Sequence, residues 1–594
     1  MDAEVPALLG VNRSVLGRRW MARPCDDAQL RAMTQNGMSE LLARILAGRG
    51  VRAEESDSYL EPRLRDLMPD PFCLTDMEEA VECLLDAVAC GRKIAVFADY
   101  DADGATSCAL LQRYLGALGV EVRAYIPDRM LEGYGPSEEA FAQLHKEGIE
   151  VVVLVDCGAS AHVPLEFAKE KGLEVLVLDH HKCPEGDLPP TRALVNPKRS
   201  DDDSGLDYLA SAGVVFLLLV ACNRALRTRG KEGPDLKELL DLVALATICD
   251  MTPLVALNRA FVRGGVRVLR CGGNPGLRAL AREAGVEGGN IGAQAFGFVL
   301  GPRINAAGRI GQSDLAVRLL FTDDPEEACA LAMKLSQLNR ERQFIEAQVM
   351  EQAAHQVESR QGQHDSVVVA WDKRWHPGVV GIVANRLKER YWRASAVMGE
   401  GKEEGMLRGS CRSVAGFDMG EAVLAAVNKG ILLSGGGHAM AAGFSLEESR
   451  VEEFHAFLCE RCENSDASES EPYYLDGVLG LRAADVAAHD LLEKAGPYGK
   501  GNATPSFAFA GVRVVQSRFI GKAQDHISCI LSGEDGGSLR AMAFRSVNTP
   551  MGEALWGDRR LHVAGRLDAS EWRGSRRLRL LVEDVAECAE SNSF

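Results

Sequence analysis

The stretch Asp99-Tyr100-Asp101-Ala102-Asp103-Gly104 constrains this chain more than any other, because three alternating carboxylates follow the apolar run Ile94 to Phe97. Alternation predicts that Asp99, Asp101 and Asp103 share one side of extended backbone at a strand's end, with Gly104 allowing a sharp turn into a helix. Crowded carboxylates repel one another unless cations lie between them, so the pattern points to divalent metal. An acidic turn without metal is the plainer alternative. An EF-hand calcium loop does not fit, since Leu110 occupies the position of the bidentate glutamate.

Downstream runs extend the pattern. Val151 to Val155 reads as a buried parallel strand and leads to Asp156. Leu173 to Leu178 reads likewise and leads to Asp179-His180-His181, and the apolar segment Leu242 to Ile248 leads to Asp250. In open α/β sheets ligands bind beyond the carboxyl ends of the strands. Taken singly, Asp250 would be a cap and His180 a surface histidine. Four apolar runs ending in carboxylate or imidazole, with no thiolate cluster, suit Mn²⁺ or Mg²⁺.

A chain of 594 residues is too long for one core, so several domains are expected. The start carries Asp2 and Glu4 without an apolar signal region, and the run Val214 to Cys222 is too short to span a bilayer. With 16 scattered cysteines lacking a disulfide-type framework, this composition predicts a reduced, cytoplasmic protein without membrane contact. Cys459 and Cys462 form one CxxC with no second pair or histidine at the usual zinc spacing, and read as helical cysteines of no joint role. The net charge of −18 argues against nucleic acid only on average; local basic surface and bound cations decide phosphate affinity.

The expected organisation begins with a helical segment, 1–75, whose tail before Asp26 is expected to be loosely ordered. An α/β lobe with a mainly parallel sheet follows at 76–323, then a charged connector helix at 324–361 free of Gly and Pro after Pro325. A second α/β lobe covers 362–463, a Ser/Glu-rich linker 464–471, and a small barrel of short strands 472–594.

In this order DYDADG, VDCG, DHH and ICDMTPL resemble the DHH phosphoesterase superfamily. The segments Gly301 to Arg309 (GPRINAAGR), Trp375 to Val383 (WHPGVVGIV) and Gly435 to His438 (GGGH) resemble its bacterial single-strand-specific 5′→3′ exonucleases. Two residues depart from the usual pattern: Ala98 stands where relatives carry Gly, and Cys411 where they carry Gly or Ala.

The resemblance implies two divalent ions, Mn²⁺ or Mg²⁺, bridged by Asp156. Asp103, His180 and Asp250 would complete one ion's site; Asp101, with Asp99, would form the other. His181 is assigned to the scissile phosphate or leaving oxygen, and Asp179 to orienting the imidazoles. For DNA and its 5′-phosphate the resemblance points to Arg129, Arg303, Asn305, Arg309, His376, Ser410, Arg412, Gly436, Gly437 and His438. Trp572 and Arg573, on a hairpin of the C-terminal module that resembles an OB-fold, would stack on and track a single strand.

The implied partners are single-stranded DNA with a 5′ end, a helicase and a single-strand-binding protein, with the chain itself a monomer. Two other readings compete. One is a DHH phosphatase on short oligonucleotides or nucleoside bisphosphates, disfavoured by Phe97 where those relatives show His. The other is a non-catalytic DNA-binding scaffold, disfavoured because every expected metal ligand is present.

Overall fold

The computed structural model describes the whole chain apart from residues 1–5, 129–131, 134, 185, 360–364, 466–471, 522, 558, 573–574 and 589–594. Its first strand, β1 (Arg19–Ala22), is not part of the sheet that follows it in sequence. That sheet holds β2 (Ile94–Ala98), β3 (Val122–Tyr125), β4 (Val151–Val155), β5 (Glu174–Leu178) and β6 (Ala193–Val195), in the order β3-β2-β4-β5-β6. Every pairing is parallel. β2 and β4 are buried along their whole length, as expected of strands covered on both faces.

Register places the functional residues. Ala98 pairs with Val155 and Val155 with Leu178, so Asp99, Asp156 and Asp179 all stand one residue beyond the same line. Ladder bonds continue through that level: the Asp156 amide donates to Leu178 O at 3.1 Å, and the Asp179 amide to Val195 O at 3.1 Å.

The fourth apolar run departs from the strand-end pattern. Leu242 to Ile248 lies in a helix, Leu240–Cys249, and Asp250 is its C-cap residue. Packed on every side, this helix needs no polar face, and a short apolar run carries no period that separates buried helix from buried strand. The helix Ser211–Thr228 is long and apolar enough to cross a membrane, yet about two-thirds of it is buried inside the first lobe.

A helix of 35 residues, Pro325–Ser359, spans about 52 Å and serves two cores. Leu331, Leu335 and Leu338 belong to the first lobe's core, whereas Val349 and Ala353 pack in the second. The second sheet holds β7 (Val367–Trp371), β8 (Ala394–Glu400), β9 (Met406–Arg412), β10 (Ser434–His438) and β11 (Ala441–Glu447), in the order β10-β11-β9-β8-β7. Only β7 and β8 are parallel.

After β12 (Pro472–Leu475) and β13 (Gly477–Val478), the strands β14 (Ser506–Ile520), β15 (His526–Ser532), β16 (Ser538–Ala543), β17 (Arg560–Trp572) and β18 (Ser575–Glu587) form a barrel. It is closed by pairing of β14 with β17.

From Asp27 onward the N-terminal stretch is helical as expected, but the described residues before it are not a loose tail. β1 pairs in parallel with β12, and Trp20, fully buried, donates from Nε1 to Asp584 Oδ2 at 3.0 Å. Met33, Leu42, Ile45 and Leu46 join the barrel's own core with Phe507, Phe509 and Leu561. Arg23 and Arg49 both meet the buried Asp476 at 2.9 Å. The partners lie more than four hundred residues away in sequence, so no local periodicity announces them.

Candidate metal centre

The acidic turn after β2 is a capped helix start, and only Asp99 continues the strand. Asp101 is the N-cap of the helix Ala102–Ala117, accepting from the Asp103 amide at 2.8 Å and the Gly104 amide at 3.2 Å. Gly104 lies inside the helix, so the sharp turn expected of it is absent. Its role is close approach: a Cβ there would lie 2.3 Å from the Asp99 carbonyl oxygen.

Asp103 points from the first helical turn toward a second helix start. The Ser211 and Ala212 amides donate to its two oxygens at 2.8 Å each, at the N-terminus of Ser211–Thr228. Ser211 Oγ donates to Asp156 Oδ1 at 3.1 Å, tying both carboxylates to one residue. Asp156 adopts φ 61°, a left-handed conformation that costs a non-glycine residue strain and is characteristic of functional sites.

Two groups of donors result. Ligand atoms of Asp99, Asp101 and Asp156 lie within 4.8 Å of one another, as do those of Asp103, His180 and Asp250. His180 joins them: its Nε2 is 3.4 Å from Asp156 Oδ1, 3.6 Å from Asp250 Oδ2 and 3.8 Å from Asp103 Oδ2. His180 Nδ1 lies 3.1 Å from the Leu209 carbonyl, which accepts only from a protonated nitrogen, so Nε2 bears the lone pair. That Nε2 is buried and has no hydrogen-bond partner among the described residues. A buried lone pair facing three carboxylates fits a divalent cation, and carboxylates with one imidazole favour Mn²⁺ or Mg²⁺.

Asp179 holds the pair of imidazoles. It accepts from the Ala159 amide at 3.0 Å, the His180 amide at 2.7 Å and the His181 amide at 3.1 Å, and His181 Nδ1 lies 2.8 Å from it. His181 is half exposed at the mouth of the cluster, its ring centroid 4.7 Å from that of His180.

Without a cation the cluster resists ionisation. Burial, with Asp250 and Asp101 adding to it against the offsetting His180, pushes the Asp103 carboxyl up to about 7. Burial and the neighbouring Asp103 and Asp101 push Asp156 well above the carboxylate range, and burial with Asp101 takes Asp250 to about 6. Burial also lowers His180. Asp179 goes the other way: His181 and the donated amides outweigh burial and hold it low. In return the Asp179 bond outweighs burial and raises His181.

Sequence reasoning missed Ser211, Leu209, Lys198 and Lys500. Lys198 and Lys500 both draw the Asp250 carboxyl down. Lys500 arrives with the barrel module: its carbonyl accepts from the Leu254 amide at 2.7 Å, packing the Gly496 to Asn502 loop onto the segment after Asp250. Ser211, placed directly before a long apolar run, carried the one visible signal, that of a helix start.

The expected DNA-contacting residues divide. Arg309 Nη1 donates across the lobes to Gly378 O at 3.3 Å, and a Cβ on Gly378 would lie 2.3 Å from Arg309 O. Asn305 and Arg309 line a small cleft together with Ile382 of the facing helix, Pro377–Tyr391. On that helix Gly381 abuts Ser410 and Arg412, and Arg412 Nη1 donates to Ser410 Oγ at 2.8 Å. Among the described residues Arg412 donates to Ser410 Oγ and Cys411 O and meets no carboxylate, which leaves a half-buried cation suited to an anion. Gly436, Gly437 and His438 lie exposed on the edge strand β10.

Arg303 is not brought to this cleft. Its guanidinium donates to Val299 O at 2.7 Å and to Ser336 Oγ of the connector helix at 3.3 Å. His376 is an N-cap, its Nδ1 accepting from the Gly378 amide at 3.0 Å. Trp572 ends β17, while Arg129 and Arg573 lie outside the described residues.

A parallel sheet whose strand ends gather carboxylates and an imidazole defines the class. Residues 93–247 match the DHH family, N-terminal domain, residues 364–464 the DHHA1 domain and residues 475–584 the RecJ OB domain. The chain is 38% identical over 584 residues to the single-stranded-DNA-specific exonuclease RecJ of Dickeya dadantii, an alignment covering 95% of this chain and 98% of that protein. It is 37% identical over 566 residues to the Escherichia coli protein of the same name, covering 92% and 95%. The crystal structure of RecJ from Thermus thermophilus in complex with Mn²⁺ matches with a TM-score of 0.79 at 32% identity, covering 96% of this chain and 79% of that one. The chain belongs to the RecJ family.

Proposed function

We propose that the protein is a metal-dependent exonuclease that degrades single-stranded DNA from its 5′ end and releases 5′-mononucleotides. The observation that carries this is the pair of donor groups meeting at Asp156 and His180 beyond the strand ends, in a chain similar over nearly its whole length to single-stranded-DNA-specific exonucleases.

Asp99, Asp101 and Asp156 would hold one divalent ion, Mn²⁺ or Mg²⁺, and Asp103, His180 and Asp250 with Asp156 the other. Two such ions supply an ionised water and neutralise charge on the attacked phosphate. His181, held by Asp179, hydrogen-bonds the scissile phosphate or gives a proton to the leaving 3′ oxygen. Ser211 and Ala212 fix the Asp103 carboxylate through backbone amides, so its geometry does not depend on a flexible partner. Arg309, Ser410 and Arg412 bind phosphate between the lobes, and the exposed glycine edge of β10 lets a nucleotide approach the backbone closely. The barrel module, through Trp572 and Arg573, stacks on and tracks the strand.

The protein works as a cytoplasmic monomer in recombination and repair, supplied with single strands by a helicase and a single-strand-binding protein. Digestion of 5′- and 3′-labelled single strands with Mn²⁺, Mg²⁺ or chelator tests this reading. Labelled mononucleotide should appear at once from the 5′ label, late from the 3′ label, and not at all in chelator. Immediate release from the 3′ label, or release in chelator, would overturn it.

A further inference from the structure

The second lobe carries another set of metal-type donors, made of different atoms. Asp365 stands just before β7, the outermost strand of its sheet. His455 and Cys459 lie one turn apart on Val451–Glu463, the helix that closes the lobe and packs against β7. Ligand atoms of Asp365, His455 and Cys459 lie within 4.8 Å of one another. The His455 imidazole is buried; its Nε2 is 3.7 Å from Asp365 Oδ2 and 3.1 Å from Val367 O. Cys462 follows one turn further along the helix, its Sγ 3.9 Å from Ser366 O, so a second thiol reaches the start of the same strand.

The sequence pattern hid this arrangement. Zinc sites are usually recognised by paired CxxC motifs or by histidines following them. Here the histidine precedes the first cysteine by four residues, a spacing that brings the two together only on a helix, and Asp365 comes from the opposite end of the lobe.

Donor chemistry separates the two clusters. The catalytic set offers carboxylate oxygens and one imidazole, which suit hard cations. Thiolate, imidazole and carboxylate together suit borderline-soft Zn²⁺.

We propose that Asp365, His455 and Cys459, with Cys462 as fourth donor, form a Zn²⁺ site that clasps the closing helix of the second lobe to its edge strand. Binding releases the thiol protons and shifts the imidazole proton from Nε2, where Val367 O accepts it, to Nδ1, and couples metal affinity to the order of the lobe.

Cobalt reports this site separately from the catalytic one, because only a thiolate ligand produces a sulfur-to-cobalt charge-transfer band and the catalytic donors contain no sulfur. The full-length protein, stripped of metal and then saturated with Mn²⁺, is titrated with Co²⁺. The band should grow to one equivalent per chain and be bleached by Zn²⁺. Cys459→Ser should weaken it by about half or more, the double variant Cys459→Ser/Cys462→Ser should abolish it, and Asp156→Asn should leave it intact. Asp365→Asn, which alters a partly exposed carboxylate and leaves the helix packing in place, should weaken Co²⁺ binding about tenfold or more. Absence of the band in the wild-type protein, or its persistence at full strength in the double variant Cys459→Ser/Cys462→Ser, would overturn the proposal.

Discussion

His180 Nε2 lies 3.4 Å from Asp156 Oδ1, and this contact joins the two halves of the acidic cluster. The Leu209 carbonyl fixes the ring's tautomer from the other side, so the lone pair faces the carboxylates before any ion arrives.

Replacing His180 with Ala should therefore remove a preset ligand rather than a flexible one. Mn²⁺ affinity should fall by at least about tenfold and turnover by about a hundredfold or more, with the far-ultraviolet circular dichroism unchanged. Isothermal titration with Mn²⁺ and a nucleotide-release assay measure the two effects.

Asp179 touches the site only through the imidazoles and backbone. Asp179→Asn keeps its shape but loses the charge that raises His181. Turnover should fall about 10–100-fold while the number of bound Mn²⁺ ions stays the same. Loss of a bound ion in this variant would show Asp179 to be a ligand itself.

Gly104→Ala should separate folding from site geometry. The new Cβ would meet the Asp99 backbone at 2.3 Å, and backbone cannot swing aside as a side chain can. The variant should lose about 1–3 kcal/mol of stability, read as a lower melting temperature. Turnover should fall even well below that temperature, because the clash displaces Asp99 and the Asp101 cap.

In chelator, the buried carboxyls give stability an unusual pH dependence. Asp103 and Asp250 titrate near about 7 and about 6 in the folded chain, and Asp156 is raised as well. Unfolded aspartate titrates near about 3.9, so between these values the folded state holds protons that the unfolded state has lost. Stability contributed by these groups falls as pH rises from about 4 to about 7. His180, lowered by burial, adds an opposite slope below about 6.5, but it is one group against three. The melting temperature of the metal-free protein should fall between pH 5 and about 7.5, and Mn²⁺ should raise it more at the higher pH. A metal-free melting temperature that climbs over this interval would contradict the assignment.

Much of this site could be read from the chain because parallel strands end in register. Asp99, Asp156 and Asp179 each follow an apolar run, and pairing brings runs of similar length to one level. Asp250 was identified for a partly mistaken reason, since the run before it is a helix buried on all sides and so without a visible period. Ser211 and Leu209 act through backbone groups and a single hydroxyl, chemistry that residue type barely signals. Arg303 sits in the same GPRINAAGR segment as Arg309, but helical geometry turns the two apart, one to the connector and one to the facing lobe. The N-terminal strand and its buried Trp20 depend wholly on partners at the other end of the chain.

Asp156→Asn tests the central claim most directly, because this residue faces both donor groups. Turnover on 5′-labelled single strands at controlled Mn²⁺ should fall by at least about a thousandfold, while single-strand binding stays within about threefold of wild type. Turnover within about tenfold of wild type under the same conditions would contradict the assignment of the site.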